Sequence, residues 1–283
     1  MIDETVEEIS EMQTHSSSVV AVKAARALSA LADREFPTVE EYVRALERNS
    51  SALRRADPSH ASLHTTQREI VSTVTEADLD SVPAAKDLTL EVIDRVVDRV
   101  ESAKEDAAAN CADRLSDGET VLTHDYSSTV LAALESAAAD GKSLTVYATE
   151  ARPRYIGRKT ARTLADVENV EVHLIVDSAS GHYLPECDCV LVGMDCIVDD
   201  TLYNRVGTYP IAATAANEDV PFYVVGSSDK VVESGFVFKN EHRSTSEVMR
   251  EPAEGFVVEN PGYDGTPVAL IDAVVTDEGT QQP

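Results

Sequence analysis

Leu122-Thr123-His124-Asp125-Tyr126-Ser127-Ser128-Thr129 is the stretch from which the fold can be read. Its apolar start closes a strand, and the hydroxyls that follow open a helix. The first N–H groups of a helix have no partner within it, so a strand-to-helix turn of this kind is a ready seat for phosphate. A second apolar run ends at Val192-Gly193-Met194-Asp195, and Asn204-Arg205-Val206-Gly207-Thr208 follows it. Two strand-end carboxylates, Asp125 and Asp195, facing one anion seat would make a sugar-phosphate pocket.

Outward from that stretch, the rhythm of the chain is strand then helix. Short β-branched runs at 120–123, 144–148, 172–176, 189–193 and 222–226 alternate with helical segments at 127–140, 155–166 and 205–217. This alternation predicts a parallel sheet with right-handed crossovers and helices on both faces. Ligands of such sheets bind beyond the carboxyl ends of the strands. The segment Val257–Asp264 is rich in turn residues, and a strand-like run at Ile271–Val275 follows it.

Upstream, residues 2–113 read as helical. Val19, Val20, Val22, Ala24, Ala25, Leu28, Leu31 and Ala32 recur at helical spacing, with Ser16–Ser18 as caps. Thr38-Val39-Glu40-Glu41 has the form of a capping box. Asp57-Pro58 breaks the pattern, and Ser59 is placed to cap a helix through about Val74. Leu88, Leu90, Val92, Ile93, Val96, Val97 and Val100 predict a long amphipathic helix over 88–113. The expected fold class is therefore α/β, with an N-terminal helical domain at 1–116. A Rossmann-like parallel-sheet domain at 117–283 follows and binds the ligand.

The 283 residues carry 51 Asp and Glu against 24 Lys and Arg, a net charge of −27. Only seven of the basic residues are lysine, and the acids are dispersed rather than blocked. Molar salt screens such surface repulsion within a few ångströms, so the balance suits a protein of high-salt surroundings. It disfavours direct DNA binding, which needs a basic surface. No 18-residue apolar run and no basic-then-apolar start is present, so a cytoplasmic protein without a membrane span is expected.

Several local patterns carry no chemistry. Cys187-x-Cys189 lacks a second pair of metal ligands, so Cys111, Cys187, Cys189 and Cys196 read as ordinary thiols. Gly141-Lys142-Ser143 resembles the end of a phosphate loop, but position 136 is Ser and a strand follows, so it is a helix stop and turn. No dinucleotide fingerprint or serine nucleophile elbow is present. No cofactor and no metal is expected. Thr149-Glu150-Ala151-Arg152-Pro153-Arg154 places two arginines near a strand end; Arg152 is a candidate phosphate ligand, while Arg154 reads as an exposed loop charge.

Taken in order, these blocks resemble the initiation factor 2B α/β/δ superfamily, which includes ribose-1,5-bisphosphate and methylthioribose-1-phosphate isomerases. The similar blocks are Leu122–His124, Thr149-Glu150-x-Arg152-Pro153, Val176–Ala179, Val192–Asp195, Asn204–Thr208, Pro221–Val225 and Val258–Pro261. The resemblance implies a strand-end cysteine and aspartate that move protons around an opened sugar phosphate. Asp195 matches that aspartate, and Asp125 stands in the cysteine's place. Ser127, Ser128 and Thr129 match the phosphate contacts; Asn204 and Lys230 match further ligand contacts, and Arg205 replaces a lysine. The resemblance also implies homo-oligomers built through the second domain.

Two of the family's cations are missing. An Arg-Gly-Ala phosphate loop corresponds here to His15-Ser16-Ser17-Ser18, and an Ala-Arg-Pro segment to Ala56-Asp57-Pro58. With the thiol also gone, the expected function is a non-catalytic regulator that binds a phosphorylated sugar or nucleotide and has a translation initiation factor as a possible partner. The rival is an aldose–ketose isomerase of a ribose phosphate, with Asp125 and Asp195 as an acid–base pair. For Asp125 a helix cap and a contact to a ligand hydroxyl are further readings. A structural partner of a related enzyme is a third class.

Overall fold

The computed structural model describes residues 2–11, 17–58, 60–151, 154–232, 235–251 and 254–282. The chain divides into two compact units, Met1–Ser102 with Asp229–Phe238, and Ala103–Ser228 with Lys239–Pro283.

Unit 1 is helical: α1 (Ile2–Glu11), α2 (Ser17–Leu28), α3 (Val39–Ala56), α4 (Ala61–Glu76) and the first part of α5 (Val82–Ala112). Val20, Leu28, Tyr42, Leu46, Leu63, Ile70 and Val96 meet in one apolar core. The Thr38 hydroxyl caps α3 by accepting the Glu41 N–H at 3.3 Å. Ser59, read as the cap of the next helix, lies outside the described residues, and α4 begins after His60, whose side chain makes no cap bond. Helix α5 starts six residues before Leu88. Pro83 sits in its first turn, where the missing N–H costs nothing, and Ser81 Oγ accepts the Ala84 N–H at 3.4 Å.

Unit 2 begins β1 (Thr120–His124), α6 (Ser128–Ala139), β2 (Leu144–Glu150), α7 (Gly157–Leu164), β3 (Val170–Val176), α8 (Ser180–Tyr183) and β4 (Cys189–Gly193). A hairpin of β5 (Cys196–Val198) and β6 (Thr201–Arg205) follows, then α9 (Thr208–Asn217) and β7 (Phe222–Val225). The short β8 (Val231–Val232) falls within unit 1; β9 (Tyr263–Pro267), β10 (Ala273–Thr276) and β11 (Gly279–Gln281) complete unit 2.

The main sheet has seven strands in the order β11-β10-β7-β4-β1-β2-β3. Every pairing is parallel except β10 with β11. Successive side chains on a strand point to opposite faces, and both faces are covered. Val121, Cys189 and Leu191 enter one core with α6, while Leu122, Val190 and Val192 enter a second with α9. The α/β expectation holds. Its direction of growth reverses between β1 and β4, the switch point beyond which such sheets hold ligands.

Two local expectations need correction. The helix read from 205 starts at Thr208, because Arg205 closes β6 and Gly207 turns the chain at φ +109°. The helix read from 155 starts at Gly157, because Arg154 and Tyr155 both have positive φ. The β5–β6 hairpin was not distinguished in sequence as a strand pair. Asp199 and Asp200 supply the two left-handed residues of its tight turn, at φ 48° and 58°.

Candidate functional site

The site is built on the carboxyl ends of β1 and β4, on either side of the switch point. Asp125, the residue after β1, has a φ of 55° and is fully buried. Two buried threonines hold its backbone. Its N–H donates to Thr149 Oγ1 at 3.4 Å, and its carbonyl accepts from Thr160 Oγ1 at 2.7 Å. Both carboxyl oxygens lack a hydrogen-bond partner. Arg205 Nε lies 3.7 Å from Oδ2, an ion-pair distance too long for a hydrogen bond. Burial pushes the Asp125 carboxyl up to about 7; Arg205 and Arg154 oppose the rise, and the charge of Asp195 adds to it.

His124 fixes this turn from beneath. It is almost fully buried, and burial holds its pKa below the usual histidine range. Nε2 lies 3.0 Å from the Val206 carbonyl and Nδ1 2.6 Å from Thr149 Oγ1. A carbonyl only accepts, so the neutral ring carries its hydrogen on Nε2, and Nδ1 accepts from the Thr149 hydroxyl. The same oxygen then accepts the Asp125 N–H. A directed chain therefore runs from Asp125 through Thr149 and His124 to the turn before α9. Gly207 completes it, since a Cβ there would stand 2.7 Å from His124 Cε1.

Ser127 is the N-cap of α6, its hydroxyl accepting the Val130 N–H at 3.3 Å. That corrects the cap reading of Asp125, whose carboxyl accepts no such bond. Ser128 and Thr129 form the first turn of α6. Ser127 also sits directly over the end of β4: a Cβ on Gly193 would meet its Oγ at 2.5 Å. Asp195 is partly exposed between β4 and β5, its N–H donating to the Tyr203 carbonyl at 3.0 Å.

Arg205 ends β6 with its guanidinium 4.5 Å from the Tyr263 ring centre. Burial lowers its proton affinity, but Asp195, Tyr263 and Asp125 outweigh that and raise it. Burial pushes the Tyr263 hydroxyl up to about 12, with Asp195 adding to the rise. Asn204 is buried and donates to Thr208 Oγ1 at 3.1 Å, tying β6 to α9.

The structure thus gathers Asp125, Asp195, Ser127, Ser128, Thr129, Asn204 and Arg205 in unit 2. Lys230 falls in the Asp229–Phe238 segment of unit 1. Arg152 and His15 lie outside the described residues. Asp57 stands 3.4 Å from His60 Nδ1.

Sequence reading missed His124, Thr149, Thr160, Tyr263 and Asp264 as parts of this site. Arg154 is a correction. It is half-buried rather than an exposed loop charge, because Glu247 accepts its N–H at 3.1 Å and folds the loop back. Its charge is felt by Asp125. The four cysteines, by contrast, are buried and form no disulfide. Burial pushes Cys111 and Cys187 up to about 12, so neither is a poised nucleophile.

Residues 13–283 match the model of the initiation factor 2 subunit family. The chain is 31% identical to ribose 1,5-bisphosphate isomerase of Methanocaldococcus jannaschii, a match covering 100% of this chain and 92% of that protein. It is 32% identical to the protein of the same name from Haloferax volcanii, covering 99% of this chain and 88% of the relative. The crystal structure of a translation initiation factor eIF-2B from Pyrococcus horikoshii superposes with a TM-score of 0.78 at 26% identity, covering 100% of this chain and 97% of that one. The full-length isomerase relatives overturn the expectation of a non-catalytic regulator and favour its rival. No helix among the described residues is long and apolar enough to cross a membrane.

Proposed function

The chain belongs to the initiation factor 2 subunit family, and we propose that within it this protein is an aldose–ketose isomerase acting on a ribose phosphate. The observation that carries the reading is Asp125: a fully buried carboxyl with no hydrogen-bond partner, its pKa near 7, beside Arg205 at the switch point. Burying a carboxyl without donors costs stability, and a site tuned in this way is the usual setting of a proton-transfer group. The isomerase relatives support the same class of chemistry.

In opened ribose 5-phosphate a base removes the C2 proton while an acid protonates the C1 carbonyl oxygen, and the resulting enediol gains a proton at C1 as its C2 hydroxyl gives one up. Where C1 carries a phosphate, the ring C1–O4 bond breaks with protonation of O4, C2 loses its proton to leave a C1–C2 enol, and C1 gains a proton as the C2 hydroxyl gives one up. Two carboxyls with different proton affinities divide these steps. Asp125 suits the group that holds and gives a proton. Asp195, whose negative charge steadies Arg205, suits the base. Arg205 is placed to stabilise charge on the enediolate oxygen. Ser127, Ser128 and Thr129, at the N-terminus of α6, suit a phosphate of the substrate. Asn204 keeps the β6–α9 turn in place beneath it. The family resemblance implies that unit 2 also mediates self-association, which light scattering at molar salt would read.

The test is direct. Ribose 1,5-bisphosphate, ribose 5-phosphate and methylthioribose 1-phosphate are each incubated with the protein in molar potassium chloride and followed by carbon and phosphorus NMR. A ketose product, abolished by Asp195→Asn, is expected with one of them. A folded protein that converts none of the three would overturn the proposal. The acidic balance fits work at high salt, and the melting temperature should climb between about 0.1 M and several molar salt as repulsion is screened. A flat or falling curve would count against that.

A further inference from the structure

Both arginines that bear on Asp125 are held by one stretch of unit 2 outside the main sheet, to which the isomerase reading gives no role. Residues 240–244 run antiparallel to 260–263, the last of which opens β9. The Arg243 N–H donates to the Asn260 carbonyl at 2.8 Å, and the Gly262 N–H to the Glu241 carbonyl at 2.7 Å. His242 and Pro261 pair between them. Three residues beyond Ser244, Glu247 accepts the Arg154 N–H at 3.1 Å and keeps that arginine in its left-handed turn at φ 75°.

Tyr263 makes the contact to the other arginine. The antiparallel register of β6 with β9 sets it directly opposite Arg205. The Asn240 carboxamide donates to the Tyr263 carbonyl at 2.8 Å and accepts its N–H at 3.2 Å. Both main-chain groups of Tyr263 are thus spent on the edge of β9 that faces away from β6. Arg205 and Tyr263 therefore form a pair without ladder hydrogen bonds, the kind in which opposed side chains stand closest. The guanidinium carbon lies 4.5 Å from the ring centre, within the range of a cation–π contact.

Among the described residues, the charged groups that bear on Asp125 are Arg205 from β6, Arg154 from the loop before α7 and Asp195 from the turn after β4. His124 beneath it is kept neutral by burial. The arginines favour the carboxylate and burial favours the acid, so the place of the Arg205 guanidinium decides how Asp125 divides between them. Nε stands 3.7 Å from Oδ2, too far for a hydrogen bond to fix it. An ion pair without that bond does not set its own geometry, and the stacked ring supplies the missing constraint.

We propose that Tyr263 is a positioning residue for the isomerisation, its ring holding the Arg205 guanidinium against Asp125 while the Asn240 clamp holds the ring. What Asp125 does with its proton rests on the isomerase reading; the hold on Arg205 does not. Burial pushes the Tyr263 hydroxyl up to about 12, so the ring is uncharged and acts on Asp125 only through the arginine or through packing. These two routes differ in sign. A released guanidinium favours the carboxylate less, and the midpoint of Asp125 rises. Water let in where a ring was lost relieves burial, and the midpoint falls.

Carbon-13 NMR of the full-length, substrate-free protein labelled at its aspartate carboxyls follows that midpoint, with the signal identified by its loss in Asp125→Asn. The same proteins are assayed against pH with ribose 1,5-bisphosphate. Tyr263→Leu should raise the midpoint and lower kcat about ten- to a hundredfold. It should also carry the fall in kcat/KM above about pH 7 to higher pH. Tyr263→Phe keeps the ring and should restore kcat to within about threefold. Should Tyr263→Leu fail to fold, Asn240→Ala at its exposed position frees the ring and should move both quantities the same way by less. A lower kcat with the midpoint unmoved or lowered overturns the proposal, and so does a raised midpoint with kcat unchanged. If the unaltered protein converts no sugar phosphate, the isomerase reading fails by itself, and an unmoved midpoint in Tyr263→Leu still overturns the hold of Tyr263 on Arg205.

Discussion

The turn after β1 and the turn before α9 each depend on an aspartate, Asp125 fully buried and Asp264 half-buried, and they treat it in opposite ways. Asp264 Oδ2 accepts the N–H groups of Gly207 at 2.7 Å and Tyr209 at 3.1 Å. No donor meets the Asp125 carboxyl in hydrogen-bond geometry, the nearby Tyr126 N–H only opposing the rise in its proton affinity, and its backbone is held instead by Thr149 and Thr160. Burial raises the proton affinity of both, but the two N–H donors pull Asp264 back, while Asp125 reaches about 7. A carboxylate that serves the fold is given donors. One that is denied them, yet pinned by its backbone, is kept available for a proton.

The sharpest way to break this contrast is to neutralise Asp125 without changing its shape. Asp125→Asn should lower kcat by roughly 10²–10⁴, the range of a lost acid–base group, with little change in melting temperature. Asp264→Ala should do the reverse in emphasis. Stranding the Gly207 and Tyr209 N–H groups should cost about 1–3 kcal/mol in denaturant melts, with a smaller loss of kcat than Asp125→Asn. Equal kcat losses would erase the distinction.

His124 tests whether the backbone chain matters to the carboxyl it carries. His124→Gln cannot both accept from Thr149 and donate to Val206 in the ring's geometry, and should lower kcat by about ten- to a hundredfold through misplacement of Asp125. Unchanged kcat in a folded variant would make the chain merely structural.

Stability against pH reads the same residue without any substrate. Between the ordinary value of 3.8 and about 7, native Asp125 keeps a proton that the unfolded chain has lost. Its contribution is therefore complete below about pH 4 and disappears as pH rises through about 7. His124 acts oppositely, since burial keeps it neutral while the unfolded chain takes up a proton below about 6.5. Denaturant melts of Asp125→Asn should lack the decline towards pH 7 that the unaltered protein shows. The smallest expected effect is that of Ser127→Ala, about 1 kcal/mol for the lost cap of α6.

Much of this arrangement is legible in the chain because it is local. Alternation of β-branched runs with helical segments gives the sheet, and the Thr38 cap is visible four letters at a time. Asp125, Asp195 and the hydroxyls of Ser127–Thr129 fall at strand ends for the same reason. Tyr263, Asp264 and Glu247 do not show, because each meets its partner only through tertiary contact: Tyr263 is 58 positions from Arg205 (263 − 205), and Asp264 is separated by 57 from Gly207. Arg154 misled because exposure was read from composition, while a single N–H bond to Glu247, 93 residues on, decides it. The absence of the family's thiol pointed away from catalysis. What composition could not convey is that burial, against the pull of Arg205 and Arg154, retunes the aspartate that stands there.

The pairing of β1 with β4 has a consequence in time. Thr120 and Asp188, bonded at 2.8 Å next to this pairing, are separated by 68 residues, and β2, α7 and β3 lie between them. Closing so long a loop has to be completed before any contact repays it, so strands brought together in this way join late. The α3–α4 hairpin closes over a few residues and forms early. During refolding, far-ultraviolet circular dichroism should therefore recover well before isomerase turnover. Asp125 acquires its unusual proton affinity only at the last step, and the chemistry becomes a clock that reports when the sheet has finished assembling.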